Sequence, residues 1–254
     1  MAKIVVFDSG LGSISIIKEI KKIMKTDIVY FADQKNYPYG NKSQAQIASI
    51  IKKTINMLEE KFTPDVIVVA SNTPSLMLNL QTGKIIDVKP PLKLAQKKSK
   101  SKKIGILATK ASVNSKGLEN YVKENNIPKS YKIFKINGSN LVDLVESGKF
   151  LNNKKYCKKI IKKSLDDYII TEKIDVITLS STHLLFLKTL LEKEFPQVEF
   201  IDPGSLVAKK IFLKIKNKQS KRNSLKIFTS GNIINFKNKL NKIGIKNKIN
   251  YLST

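Results

Sequence analysis

The feature that most constrains this fold is an alternation of short β-branched apolar runs with longer, lysine-rich amphipathic stretches. Such alternation is typical of βα units, in which parallel strands form a sheet and helices cover its faces. It therefore predicts an α/β fold with mainly parallel sheets flanked by helices. Strands are predicted at residues 3–7, 27–31, 66–70, 84–88, 104–108, 132–136, 176–179, 199–201 and 225–229. Helices are predicted at residues 13–24, 43–62, 115–124, 141–147, 153–170, 183–195 and 233–243, with Gly148 as a helix stop.

The strand sequences repeat within the chain. Residues 4–9 resemble residues 104–109, and residues 66–73 resemble residues 176–183. Each half then has an opening strand that ends in small polar residues and a later strand that ends in serine and polar residues. The repeat predicts two pseudosymmetric domains whose equivalent strand ends face each other across an active-site cleft.

Two segments are candidate crossovers between these halves. Residues 89–103 are rich in proline and lysine, and Asp202-Pro203-Gly204 forms a second break. The strand at 225–229 and the helix after it are expected to return to the first half. The predicted domains are residues 1–92 plus 205–254, and residues 93–204.

The charge of the chain limits its expected partners. It has 47 Lys and Arg against 20 Asp and Glu, a net charge of +27, and Arg222 is its single arginine. Such an excess favours polyanions at low salt, but specific readout usually relies on the planar guanidinium of arginine. The lysines are spread over many segments beside Asn and Ile, which indicates a lysine-solvated surface and codon bias. No specific nucleic-acid binding is expected.

Several other classes are disfavoured by composition. The single cysteine, Cys157, permits no internal disulfide, which makes a cytoplasmic location the default. No signal peptide and no apolar run of membrane-spanning length are expected, so no membrane partner is predicted. One histidine and one cysteine make a zinc site improbable, and no metal is predicted. Gly10-x-Gly12 lacks the third glycine of a dinucleotide fingerprint, since Ser15 stands there, and no cofactor is predicted.

Polar residues follow four of the predicted strands. Ligands of parallel sheets bind outside the carboxyl ends of the strands, where hydroxyls, amides and free N–H groups suit a small carboxylate. The alternative is that these residues simply cap the following helices. The residues are Asp8-Ser9-Gly10 with Gly12, Ser71-Asn72-Thr73, Thr109 to Ser112, and Ser181-Thr182-His183.

Outside those four segments, a turn, the single histidine and one glutamate bear on the location of a site. The turn Tyr37-Pro38-Tyr39-Gly40-Asn41 offers backbone amides that would line a site. His183 is the only histidine, and its position at a strand end beside hydroxyls makes it a catalytic candidate. Glu146 would ordinarily be a solvated helix residue.

In this order, the motifs resemble the glutamate racemases of the aspartate/glutamate racemase superfamily. Residues 7–12 match the FDSGxG opening of that family, and residues 38–43 match its PYGNKS motif. Ser71-Asn72-Thr73 stands at its Cys-Asn-Thr and Ser181-Thr182-His183 at its Cys-Thr-His. Weaker matches are ATVNS at residues 111–115, LVxLVExG at residues 141–148, Asp202-Pro203, and residues 228–231.

The resemblance implies a cofactor-independent amino-acid racemase acting on glutamate or aspartate, in a family whose members often form homodimers. One cysteine thiolate removes the Cα proton and the opposite thiol delivers one to the other face. The implied catalytic positions are Ser71, Ser181, Asp8, His183 and Glu146. The implied substrate-binding residues are Ser9, Pro38, Tyr39, Gly40, Asn72, Thr73, Thr109, Ser112 and Thr182.

The departures from the family fall on the chemistry. Both thiol positions are serines, Ser71 and Ser181, and Ser13 replaces a glycine. A thiol has a pKa that neighbours can lower into the working range, whereas a serine hydroxyl is a far weaker acid. The two-thiol mechanism is therefore not available, and Cys157 lies away from every motif.

Three interpretations stay open. The chain is a racemase-family enzyme that works slowly or through Asp8 and His183, or a binding pseudoenzyme that retains the site without turnover. The third is an active racemase whose two cysteines were replaced experimentally.

Overall fold

The computed structural model describes residues 2–78, 80, 83–215, 218, 220 and 222–254. They form two compact units, one containing the residues up to Val88 together with Gly204–Thr254, and the other Lys89–Pro203. Within these described ranges, no helix combines the length and the apolar character that crossing a bilayer would require.

The first unit contains a parallel sheet of six strands. The central strands are buried because helices cover both faces, and the unbroken Val and Ile runs of the sequence reflect this. The order is β10-β9-β2-β1-β3-β4. These strands are β1 (Lys3–Asp8), β2 (Asp27–Ala32), β3 (Val66–Val69), β4 (Ile85–Asp87), β9 (Ser224–Thr229) and β10 (Ile249–Tyr251).

The second unit contains a parallel sheet of four strands. Their order is β6-β5-β7-β8, the same as the order β2-β1-β3-β4 in the first unit. The strands are β5 (Lys103–Ala108), β6 (Lys132–Asn137), β7 (Val176–Leu179) and β8 (Glu199–Ile201). The fold class is therefore confirmed as α/β with mainly parallel sheets.

The two sheets share their register as well as their order. Ile4 lies opposite Val66 where β1 pairs with β3, and Ile104 lies opposite Val176 where β5 pairs with β7. These partners are the positions that the internal repeat equates. The repeat therefore records a true structural duplication within the chain.

The helices that flank the first sheet are partly predictable from capping and periodicity. In α2, Ser43 and Gln46 form a reciprocal capping box, and Ile47, Ile51 and Leu58 are buried at helical spacing. The helices of this unit are α1 (Ser13–Ile23), α2 (Gln44–Phe62), α3 (Asn72–Met77), α11 (Gly204–Ile215) and α12 (Ile233–Lys242).

The helices of the second unit depart from prediction in several places. The proline-rich crossover contains a helix, α4, because Leu92 and Ala95 are buried on one face after Pro91. The helix predicted at 183–195 begins as a 3₁₀ segment, Thr182–Leu187, before α10. The helix predicted at 153–170 ends as α-helix at Asp166 and continues as a π-type turn. The helices are α4 (Leu92–Lys98), α5 (Lys110–Val113), α6 (Lys116–Glu124), α7 (Ser139–Glu146), α8 (Lys149–Asn152), α9 (Lys154–Asp166) and α10 (Lys188–Glu194).

Candidate active site

Each sheet brings two of the predicted polar segments side by side at its carboxyl edge. The backbone N–H of Ala70 donates to the carbonyl of Phe7 at 2.8 Å, so Asp8, the last residue of β1, lies beside the chain that leads from β3 into Ser71. The N–H of Ser180 donates to the carbonyl of Leu107, also at 2.8 Å, and places Thr109 beside Ser181 in the same way. Both units therefore present their candidate residues where parallel sheets bind ligands.

The carboxylate of Asp8 accepts hydrogen bonds from the turn that leads into α1. Its side chain is 1% exposed, Oδ1 accepts the N–H of Gly10 at 3.0 Å, and Oδ2 accepts the N–H of Ser13 at 2.9 Å. Both carboxylate oxygens thus hold backbone groups, which is the capping role named as the alternative for this residue. A proton-accepting role for Asp8 would have to compete with these bonds.

Ser71 and Asn72 do not behave as simple helix caps. Ser71 precedes α3 without a side-chain capping hydrogen bond. Asn72 is 3% exposed, and neither Nδ2 nor Oδ1 has a hydrogen-bond partner among the described residues. A buried polar group left without a partner costs about 1–3 kcal/mol, so such groups call for a ligand or water. The hydroxyl of Ser13, also buried, is in the same state within the described ranges.

Tyr39, in the predicted turn, is buried against a carboxylate that the sequence reasoning missed. Its hydroxyl donates to Oδ2 of Asp33 at 2.9 Å. Burial, the charge and hydrogen bond of Asp33, and the charge of Asp8 together hold the pKa of Tyr39 well above its usual value of 10.0. Asp33 directly follows β2, so the rule that singled out the other strand ends also applied to this residue.

In the second unit, His183 and Glu146 form a buried pair. Nε2 of His183 lies 2.7 Å from Oε1 of Glu146, and both residues are 8% exposed. Glu146 is not solvated as a residue of such a helix ordinarily would be, because the C-terminal end of α7 packs against the 3₁₀ segment that carries His183. A carboxylate in this position orients an imidazole and stabilises its protonated form.

Thr109 and Ser181, at the two strand ends of the second unit, differ in whether their side chains cap the segment that follows. Thr109 caps α5, since its Oγ1 accepts the N–H of Ser112 and lies 3.0 Å from Ser112 Oγ. Ser181, in contrast, makes no side-chain capping bond to the 3₁₀ segment that follows it. Thr182 is buried beside it. Ser181 therefore lies next to the His183–Glu146 pair without serving as a cap.

The remaining predicted site residues of the first unit differ in burial. Ser9 and Thr73 are buried at the carboxyl edge of the first sheet, and Pro38 and Gly40 are partly exposed. Cys157 is buried in the apolar core of the second unit, apart from these residues. In the part of the chain that the structure describes, no three His, Cys, Asp or Glu side chains are grouped to hold a metal ion.

Comparisons with known proteins show a likeness to glutamate racemases in sequence and in fold. The glutamate racemase of Leptospira borgpetersenii is 30% identical over 231 residues, covering 88% of this chain and 86% of the relative. A crystal structure of a Bacillus anthracis glutamate racemase isoform superposes with a TM-score of 0.83 at 22% identity, covering 100% and 97% of the two chains. A Francisella tularensis glutamate racemase, solved with D-glutamate, gives 0.82 at 21% identity, covering 100% and 97%.

No family model matches the sequence. On the strength of the Leptospira relative and its coverage, the chain belongs to the glutamate racemase family.

Proposed function

We propose that this chain binds a small dicarboxylic amino acid, glutamate or aspartate, and cannot racemise it efficiently. The family and a relative solved with D-glutamate support this ligand class. The observation that carries the binding proposal is Asn72, whose buried amide lacks a partner within the described residues. A ligand carboxylate or ammonium group would satisfy that amide and offset its desolvation.

The chemical part of the proposal rests on Ser71 and Ser181. Removing a Cα proton requires a base that is effective near the working pH. The resemblance to glutamate racemases implies that this family uses cysteine thiolates as the base. A serine hydroxyl is too weak an acid to be ionised there without a strong partner. Neither serine can therefore replace a thiol by itself.

The residual proton-transfer group is His183, positioned by Glu146. Imidazole is the side chain whose charge changes most readily near neutral pH, and the 2.7 Å contact to Glu146 fixes its orientation. In the first unit, both oxygens of Asp8 accept backbone N–H groups. Proton exchange at Cα needs one proton-transfer group, whereas inversion also needs a proton donor at the opposite face of the ligand.

An active enzyme that uses Asp8 and His183 is the second candidate function. The His183–Glu146 pair favours it, because a carboxylate-bound imidazole is a competent general base. Brisk racemisation by the unaltered chain that is abolished by Asp8→Asn and by His183→Asn would select this candidate over the binding protein.

The test of the main proposal combines binding with isotope exchange. Calorimetric titration with D- and L-glutamate, D- and L-aspartate and a monocarboxylic amino acid should give heat only with the dicarboxylic acids. Asn72→Ala should weaken that binding. Incubation with the bound acid in heavy water should show little incorporation of deuterium at Cα. If none of the acids binds, the chain has lost the site.

A further inference from the structure

A second buried carboxylate lies at the carboxyl edge of the first sheet, beside the candidate site. Asp33 is 0% exposed and follows β2, and its backbone N–H donates to the carbonyl of Asp8 at 2.8 Å. Its side chain accepts hydrogen bonds from Asn36 Nδ2 at 3.0 and 2.9 Å, Tyr39 Oη at 2.9 Å and Ser230 Oγ at 3.0 Å. Two chain segments thus meet on one carboxylate.

These donors are all neutral within the described part of the chain. Burying a carboxylate is costly unless hydrogen bonds satisfy it, and bonds to a charged acceptor are about twice as strong as neutral ones. Asp33 is therefore held firmly by its three partners and holds each of them in turn. A neutral residue would avoid the cost of burying a charge at position 33, so the carboxylate is explained by its role as a common acceptor for the three partners.

Two of the partners belong to the loop that carries the PYGNKS motif. Asn36 ends the short 3₁₀ turn Gln34–Asn36, and Tyr39 begins the next, Tyr39–Asn41. The bonds from Asn36 and Tyr39 to one carboxylate set the orientation of the second turn relative to the first. The backbone of Tyr39–Asn41 is the part of the loop that would contact a ligand.

The third partner comes from the C-terminal part of the chain. Ser230 follows β9 and also accepts the backbone N–H of Lys35 at 3.1 Å. A Cβ atom at Gly231 would lie 2.7 Å from Cβ of Gln34, so the two segments approach closely enough to require glycine. The hydrogen bonds of Ser230 therefore hold the loop against the end of β9, in addition to its direct connection to β2.

We infer that Asp33 is a positioning residue, which fixes the ligand-contacting turn Tyr39–Asn41 and couples it to the C-terminal strand through Ser230. The inference rests on the proposed function for the statement that this turn contacts the ligand. The fixing of the turn itself follows from the contacts of Asp33 alone.

The chain offers a matched control in the second unit. Asp175 precedes β7 and accepts hydrogen bonds from Ser99 Oγ, Ser101 Oγ and the backbone N–H groups of Lys100 and Ser101, at 2.7–2.8 Å. It anchors a comparable network at the amino end of its sheet, the end opposite to Ser181. Asp175→Asn therefore removes the charge from a carboxylate with several hydrogen-bond donors without touching the candidate site.

The experiment compares Asp33→Asn, Ser230→Ala, Asp175→Asn and the parent chain by amide hydrogen exchange and glutamate titration. Asp33→Asn should speed exchange at residues 34–42 and weaken glutamate binding by about tenfold or more, because preorganisation of the turn is lost. Ser230→Ala, which keeps the carboxylate, should do the same to a smaller extent. Asp175→Asn should speed exchange near residues 99–101 and leave the affinity unchanged.

The outcomes separate the inference from the proposed function. Unchanged exchange at 34–42 in Asp33→Asn would overturn the inference, and so would an equal loss of affinity in Asp175→Asn. If the parent binds no dicarboxylic acid, the proposed function fails and the exchange data alone decide whether Asp33 fixes the turn. If Asp33→Asn does not fold, the exchange and affinity of Ser230→Ala decide the question.

Discussion

Nε2 of His183 lies 2.7 Å from Oε1 of Glu146 in the second unit, and both side chains are buried. The pair joins a residue of the 3₁₀ segment Thr182–Leu187 to the last residue of α7, and the two are 37 positions apart in the chain. The contact with Glu146 fixes the orientation of His183, which is the only histidine of the sequence. The remaining capacity of this chain for proton transfer is therefore expected to depend on these two residues.

His183→Asn should lower any residual Cα deuterium exchange by about 10²-fold or more, the usual contribution of a general base. Glu146→Gln keeps the shape but cannot stabilise a protonated imidazole, so it should reduce exchange less and change its pH profile. Proton NMR of glutamate in heavy water measures both. Exchange that survives His183→Asn would point to another base.

Restoring the thiols should restore chemistry if the rest of the site is intact. Ser71→Cys combined with Ser181→Cys should raise Cα exchange by at least about 10²-fold and produce racemisation, because thiols ionise far more readily than serine hydroxyls. Each single restoration should give at most one-sided exchange. Polarimetry and NMR distinguish the two results. A silent double variant that still binds glutamate would show divergence beyond the lost thiols.

A bound dicarboxylic amino acid should stabilise the folded chain. At a concentration about 100-fold above the dissociation constant the stabilisation is about 2.7 kcal/mol, which corresponds to several degrees in Tm. The net charge of +27 should strengthen the binding of an anion, so added salt should reduce the shift. Thermal-shift assays with Asn72→Ala as control measure this. A shift that persists unchanged in Asn72→Ala would remove that amide from the site.

Tyr39 should make stability fall at alkaline pH. Its pKa in the folded chain is raised, chiefly by burial and then by Asp33, whereas the unfolded chain loses this proton near pH 10. The contribution of the neutral phenol is fully present below about pH 10 and is lost as pH rises toward the folded pKa. Denaturant unfolding of the parent and Tyr39→Phe from pH 8 to 11 isolates this difference, since lysine titration is common to both. A difference that does not change with pH would contradict the burial of Tyr39.

Asp175 should stabilise the second unit above acidic pH. Burial acts to raise the pKa of this carboxyl, but hydrogen bonds from Ser99, Ser101 and Lys100 lower it overall. Its contribution is present above the unfolded pKa of about 3.9 and is lost as pH falls through the lower folded value. Asp175→Asn should therefore cost about 1–2 kcal/mol at pH 7 and progressively less below pH 4, by denaturant unfolding. A cost that stays constant to pH 2 would show that the charge is not involved.

Except for β10 (Ile249–Tyr251), which was not predicted, the sequence by itself determined the strands, their parallel arrangement and the internal duplication. These follow from side-chain patterns: β-branched runs such as 66–69 mark buried parallel strands, and the match of 4–9 to 104–109 anticipated the shared register of the two sheets. The polar residues after β1, β3, β5 and β7 were also recognisable, because the carboxyl ends of parallel strands are where ligands bind.

Only the tertiary structure decided what those polar residues do. Periodicity does not distinguish a capping Asp8 from a catalytic one, and it does not show that Glu146 is buried and paired with His183. The role of Asp33 depends on the hydrogen bonds that it accepts from Tyr39 and from Ser230, and Ser230 lies 197 residues further along the chain. The helices that were not predicted are α3, α4, α5, α8 and α11. A local pattern reports which face a side chain occupies, whereas its hydrogen-bond partners depend on which distant segments the folded chain brings beside it.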